Sequence, residues 1–379
     1  VAISLERLRP AIREAGFRAA AAIPCIEFSA WREAVLGRPG YEEFPALASQ
    51  ADPRASLPEA RSIVVAIWDY SGIPLPRSAL GKIARLYLSY SDPPDQGGHP
   101  AGQRLEALFD ELGWKFTATV PRREAAVAAG LLVQRRNCLG YLPGGHSLVS
   151  VFAWAVDAEI EPGRLVLEDG QPERPTEPLT RFDYPPARQD PCGNCRLCID
   201  NCPTGALVGP FVLDPTRCID RNTWRADEWL PRWTRARLGT RVYGCDVCQE
   251  VCPFNKRALT KAPTQSEAEG ARLDLARLAS SDDEEYMAAW AGYFVYNPNR
   301  NDIRRNAIVA LGNLGDPAAE PMLSQLLSDE APILRGHAAW ALSRIHTPTA
   351  RRLLEDALAK EADEEVRQEI ALALQERPA

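Results

Sequence analysis

The chain has 379 residues, 45% of them hydrophobic and 25% charged, an ordinary globular composition too long for one small core, so two or three domains are expected. A formal net charge of −7 argues against a generally basic nucleic-acid binder, and no apolar run approaches the roughly 18 residues needed to cross a bilayer. The first residues read as an amphipathic helix with early charges, unlike a secretory signal, and a cytoplasmic protein is expected.

The first segment, residues 1–185, mixes helix and strand signals. Residues 4–15 and 100–112 have helical periodicity. Ile63-Val64-Val65-Ala66-Ile67 is an apolar run of the buried-strand type, and Phe116 to Val120 resembles another. Leu148 to Ile160 is a longer β-like stretch with Val149, Val151, Ala153 and Ala155 on one parity. Such alternation predicts an α/β domain, and Cys25 reads as a core residue of an early strand. Pro162 to Gln189, with six prolines and several charges, predicts a connection between domains.

Residues 186–265 are rich in cysteine and poor in periodicity. Residues 266–379 end in a repeat: Arg305-Asn306-Ala307-Ile308-Val309-Ala310-Leu311 is echoed from Arg335 and more weakly from Arg367, at spacings of 30 and 32 residues. Further helix patterns fall between, at Glu320–Leu327 and Thr349–Leu358, which predicts stacked helical hairpins resembling HEAT repeats. Arg304, Arg305, Arg335, Arg351 and Arg352 could form a phosphate-facing strip, but acidic neighbours such as Glu355 and Glu361 favour a structural role.

Eight of the ten cysteines fall between Cys192 and Cys252, which is the pattern of metal ligation rather than of disulfides. Cys192, Cys195, Cys198 and Cys202-Pro203 have the bacterial ferredoxin spacing C-x2-C-x2-C-x3-C-P. Cys245, Cys248 and Cys252-Pro253 repeat it without the first cysteine, and Cys218 supplies that thiolate. In two-cluster ferredoxins the fourth cysteine of a run ligates the other cluster. Cys192, Cys195, Cys198 and Cys252 would then hold one [4Fe–4S] cluster, and Cys202, Cys218, Cys245 and Cys248 the second. Four thiolates also suit zinc, but a zinc ribbon needs neither the third close cysteine nor the Cys-Pro step. Gly205 suits the turn after the first run, and Tyr243 and Gly244 suit packing beside the second.

These runs, together with Arg241-Val242-Tyr243-Gly244-Cys245 through Asn255-Lys256 and the repeat at Arg305–Gly312, resemble the epoxyqueuosine reductase family. The resemblance covers nearly the whole chain. It implies an α+β architecture: an α/β cobalamin-binding domain, a two-cluster ferredoxin-like insert and a HEAT-like tail. It also implies a reductase that opens the epoxide of a modified tRNA base with cobalamin and two [4Fe–4S] clusters. By family position Arg123, Arg136, Asn137 and Cys138 are candidate cobalamin-binding residues.

The family's proposed proton donor is an aspartate seven residues before the arginine matched by Arg123. That register reaches Phe116, and no Asp or Glu lies between Gly113 and Arg123. Leu132, Arg135 and Arg136 replace the family's glycines and lysine, which predicts a reshaped pocket. The expectation is therefore a cobalamin- and iron–sulfur-dependent reductase acting on another electrophile, its catalytic residues unassigned. The alternatives are a true tRNA epoxide reductase with a substitute acid, His146 being the first candidate, and a noncatalytic electron-transfer or scaffold protein. A flavodoxin or ferredoxin is the expected electron donor to a monomer, with no membrane partner.

Overall fold

Ala19–Pro24 (β1) and Ser62–Asp69 (β2) are small or β-branched over nearly their whole length, which suits strands covered on both faces. They pair antiparallel from Ala19 opposite Ile67 to Pro24 opposite Ser62. Phe116–Thr117 (β3), Val149–Val156 (β4) and Gly163–Val166 (β5) complete a sheet in the order β3-β4-β2-β1-β5, every pairing antiparallel. The computed structural model describes residues 2–89, 99–167, 192–225, 228–280, 284–294 and 299–376. They divide into two units, one of residues 1–73, 95–216 and 247–263 and one of residues 74–94, 217–246 and 264–379.

In the first unit the two parities of the strands face two different cores. Ile63, Val65, Ile67, Val149, Val151, Ala153 and Ala155 pack with Trp31 and Val35 of helix Ser29–Leu36 and with Ala125 and Ala126 of helix Arg122–Ala128. Val64, Ala66, Phe152, Trp154 and Val156 pack with Ile12 of helix Arg9–Glu14 and with Leu105 and Phe109 of helix Pro100–Glu111. Helices on both faces of an antiparallel sheet make the class α+β.

Two sequence expectations need correction. The strand foreseen at Phe116–Val120 ends at Thr117, because the Val120 amide turns back to the Ala118 carbonyl ahead of Pro121 and the next helix. The connection foreseen from Pro162 begins instead as strand β5, which lies along Ala19–Ala22 of β1. Proline lacks an amide donor, and Pro162 sits just ahead of this edge strand. Residues 168–189 of that expectation lie outside the described residues.

In the second unit the tail folds as helices Arg300–Leu314 (α1), Glu320–Leu326 (α2), Pro332–Ser343 (α3), Pro348–Lys360 (α4) and Glu364–Gln375 (α5). Helices α1, α3 and α5 pack side by side, as stacked hairpins require. Gly312 permits the closest approach: a Cβ there would stand 2.7 Å from the Ala341 Cα. The repeating arginines are structural. Arg305 is fully buried and donates to the Arg225 and Glu228 carbonyls and to Asp302. Arg304 holds Asp329 and the Ala279 carbonyl, and Arg335 grips Glu361 with two hydrogen bonds of 2.7 and 2.9 Å. Among the described residues no helix is long and apolar enough to cross a membrane.

His337 of α3 is buried against the Trp229 ring, 5.2 Å between centroids. Its Nδ1–H donates to the Ile333 carbonyl at 2.6 Å, which leaves Nε2 as the unprotonated nitrogen. Burial first, then the charges of Arg235 and Arg305, hold its pKa well below the ordinary histidine value. The unfolded chain binds a proton below about pH 6.5 that the fold excludes, so stability is present above that pH and lost below it. The expected loss from this residue is up to about 1.4 kcal/mol per pH unit. Urea titrations from pH 7.5 to 5 check this: His337→Phe should show a correspondingly shallower pH dependence.

Candidate functional site

The cysteine runs fold as short turns because two-residue gaps leave no room for longer elements. In the first unit the Cys195 amide donates to the Cys192 carbonyl at 2.8 Å, and a single helical turn, Leu197–Asp200, carries Cys198. Gly205, at φ +63°, closes the run with its amide on the Cys202 carbonyl. The second run follows the same course: a turn at Val247–Glu250, Cys252 closing onto Gln249, then Pro253. Cys192, Cys195, Cys198 and Cys252 thereby line one cavity of about 90 Å³. Burial and the nearby thiols of Cys192, Cys252 and Cys195 push the Cys198 thiol up to about 11. A thiol that resists ionising among other thiols suits a cationic iron core, which would remove that repulsion.

A polar frame ties these turns to the sheet's loops. Asn137 donates to the Cys248 carbonyl at 3.1 Å and to the Tyr141 hydroxyl at 2.8 Å. Arg136 donates to the Cys195 carbonyl at 3.2 Å. Asn255, fully buried, accepts the Ser147 amide and donates to the Ser147 hydroxyl and the Gln249 carbonyl, each at 2.9 Å. Arg135 enters the cavity itself, its guanidinium 3.3 Å from the centre of the Phe254 ring. Sequence reasoning missed Ser147, Tyr141 and Asn255 as frame residues. Asn255 was signalled by its place in the run after Cys252-Pro253, and Tyr141 and Ser147 only by nearness to Gly144-Gly145.

Of the residues matched to cobalamin binding, Arg136 and Asn137 therefore face the cysteine turns and line the same cavity. Cys138 is buried at φ +64°, a left-handed conformation costing roughly 1–2 kcal/mol for a non-glycine residue. Arg123 braces it, pairing with Glu124 and donating to the Cys138 carbonyl. Burial raises the Cys138 thiol pKa. Leu132 is absorbed by the core, filling the space left by Gly140, where a Cβ would lie 2.6 Å from the Leu132 Cδ1.

Phe116 lies on edge strand β3 with its ring 5.6 Å from Phe109, edge to face. His146 accepts the Leu148 amide at Nδ1 and turns Nε2 toward Asp69, 3.6 Å away, a carboxylate that also takes Arg18 at 2.8 Å. Cys25 is buried just after β1.

The remaining cysteines fall into two pairs. Cys202 and Cys248 pack against Cys138, Ile199 and Leu207 in the first unit. Cys218 and Cys245 are neighbours in the second, where burial, Asp220 and then Cys245 raise the Cys218 thiol pKa. Tyr243 is fully buried between Tyr87 and Phe294, at 4.7 and 5.1 Å. Gly244, at φ +76°, is required there: a Cβ would meet Ala84 and Tyr87 at 2.6 Å.

Comparison with known proteins agrees with this geometry. Residues 191–255 match the 4Fe-4S double cluster binding domain, and residues 297–375 match HEAT repeats. The epoxyqueuosine reductase of Bacillus subtilis (strain 168) is 32% identical over 347 residues, 87% of this chain and 83% of that one. That of Staphylococcus aureus (strain NCTC 8325 / PS 47) is 30% identical over 353 residues, 89% of this chain and 86% of that one. A crystal structure of epoxyqueuosine reductase with an epoxyqueuosine-modified tRNA-Tyr stem loop superposes with a TM-score of 0.79 at 28% identity, covering 98% of this chain and 97% of that one. The likeness runs through fold, cysteine turns and helical tail together, and the chain belongs to the epoxyqueuosine reductase family, cobalamin-dependent oxidoreductases with two [4Fe–4S] clusters.

Proposed function

We propose that this family member is a reductase whose active site has diverged, acting on an electrophilic carbon other than the family's tRNA epoxide. The observation that carries the reading is Phe116. It occupies the register of the family's proton-donating aspartate, and it is spent on an aromatic core with Phe109. Bound cobalamin, once reduced, supplies a strong nucleophile or a one-electron donor. Opening an epoxide leaves negative charge on oxygen, which a positioned acid must neutralise, a contribution of typically about 10²–10⁴-fold. Phenylalanine moves no proton. His146 is a poor substitute, because its Nε2 proton faces Asp69.

The first cluster is assigned to Cys192, Cys195, Cys198 and Cys252, supported by their common cavity. The second is assigned to Cys202, Cys218, Cys245 and Cys248, supported by the ferredoxin spacing. Residues 1–185 would form the cobalamin and substrate domain, 186–265 the cluster domain and 266–379 the repeat domain. The segment that carries Arg123, Arg136, Asn137 and Cys138 would take part in binding the corrinoid; the left-handed backbone at Cys138, braced by Arg123, supports a positional demand there. A flavodoxin or ferredoxin would deliver electrons to a monomer.

Cys218→Ser is expected to lower bound iron from about eight to about four per chain, leaving one cluster's electron-paramagnetic-resonance signal intact. Complete iron content in that variant removes Cys218 from the ligand set.

The substrate is tested directly. Protein reconstituted with both clusters and cobalamin, given excess reductant and epoxyqueuosine-containing tRNA, is expected to form queuosine at least 100-fold more slowly than an aspartate-containing relative, as loss of a general acid dictates. Mass spectrometry of the tRNA reads the product. Turnover equal to the relative's would make this chain a tRNA epoxide reductase with a substitute acid, and Phe116→Asp would then leave the rate unchanged. If the proposal holds, Phe116→Asp rescues only in part, because Arg135 also differs from the family.

A further inference from the structure

A charged side chain shut away from water without partners is costly, and proteins rarely leave one so. Arg135 is such a side chain. It is only 3% exposed, and its Nε and Nη1 have no hydrogen-bond partner. It lines the cavity formed by Cys192, Cys195, Cys198 and Cys252. Its backbone is fixed independently of its charge: the Arg135 amide donates to the Leu139 carbonyl at 3.0 Å, and its carbonyl accepts the Cys138 amide at 2.9 Å. The guanidinium lies over two aromatic rings, 3.3 Å from the centre of Phe254 and 4.7 Å from that of Tyr141. Ring faces favour a cation but accept no conventional hydrogen bond, so they hold the group in place while its N–H donors stay open toward the cavity. Two of its donors thus lack an acceptor in a cavity lined by four cysteine sulfurs.

We propose that Arg135 donates hydrogen bonds to the first iron–sulfur cluster and raises its reduction potential relative to the second. This rests on the assignment of that cluster to the four cavity cysteines. The physics is that of charge and hydrogen bonding at the sulfurs, which set the potential of a cluster of given type. On taking one electron from its reductant the cluster gains one negative charge and no proton. A fixed cation close to its sulfurs, itself buried, stabilises the reduced form more than the oxidised form. Arg136 lines the same cavity and gives its Nη1 to the Cys195 carbonyl at 3.2 Å. The consequence is directional: the cluster beside Arg135 becomes the preferred resting place of the electron.

The test is a redox titration of the reconstituted full chain with dithionite, each cluster followed by electron paramagnetic resonance and total iron measured alongside. In Arg135→Met, iron content should stay complete. The first cluster's reduced-to-oxidised ratio at a fixed potential should fall about tenfold, equivalent to about 59 mV for a one-electron couple, and the second cluster's should not move. Arg135→Lys, which keeps the charge, should recover most of the shift. Should the methionine variant fail to load iron, Arg135→Gln takes its place with the same expected fall. The proposal is overturned if the ratio changes less than threefold in a fully loaded neutral variant, or if lysine behaves like methionine. Wild-type protein that binds no cluster at the cavity cysteines overturns instead the assignment beneath it, which iron content and the Cys198→Ser variant detect separately.

Discussion

Thiols that must stand together repel as they ionise, and this constraint organises the first unit. Burial first, then the neighbouring thiols of Cys192, Cys252 and Cys195, oppose loss of the Cys198 proton, and a cation in the cavity would relieve both. Turns of two or three residues also bury little apolar surface of their own. The cysteine loops are therefore held from outside, by carbonyls that accept from Asn137 and Arg136 and by the buried Asn255–Ser147–Gln249 network. Each of those groups would cost free energy if left unmet, so the network specifies position as well as stability.

The turn from Arg135 to Leu139 occupies a central place in that scheme. It carries one cation into the cysteine cavity, a second onto the Cys195 carbonyl, and an asparagine onto the Cys248 carbonyl. The left-handed backbone at Cys138, held by Arg123, sets the directions in which these side chains leave. Cofactor environment and sheet architecture are thus coupled through a few residues. Substitution there changes the site without touching a ligand.

The helical tail solves a different problem with related means. Arginine recurs in its inner helices because a guanidinium can satisfy several carbonyls and a carboxylate at once in a narrow space. Arg305 does so with Arg225, Glu228 and Asp302, and Arg304 with Ala279 and Asp329. The recurrence visible along the chain is thus the trace of a packing device, and a phosphate-binding role is not needed to explain it.

Local pattern alone determined the strands at Ile63–Ile67 and Val149–Ala155, the helix ending near residue 112, the repeat period of the tail and the two-cluster ferredoxin-like segment. Each depends on periodicity or fixed spacing, which short-range physics enforces. Tertiary structure decided the rest. The strand after Pro162 forms because β1 offers it an unpaired edge, and no local period announces such an edge. Leu132 is core and Arg135 is cavity although only three positions separate them. One finds the hollow left by Gly140, the other the space between two aromatic rings and four sulfurs. Which of two neighbouring substitutions reaches the chemistry is set by where the turn points, and that direction is fixed by hydrogen bonds to residues more than a hundred positions away, such as Asn137 to Cys248.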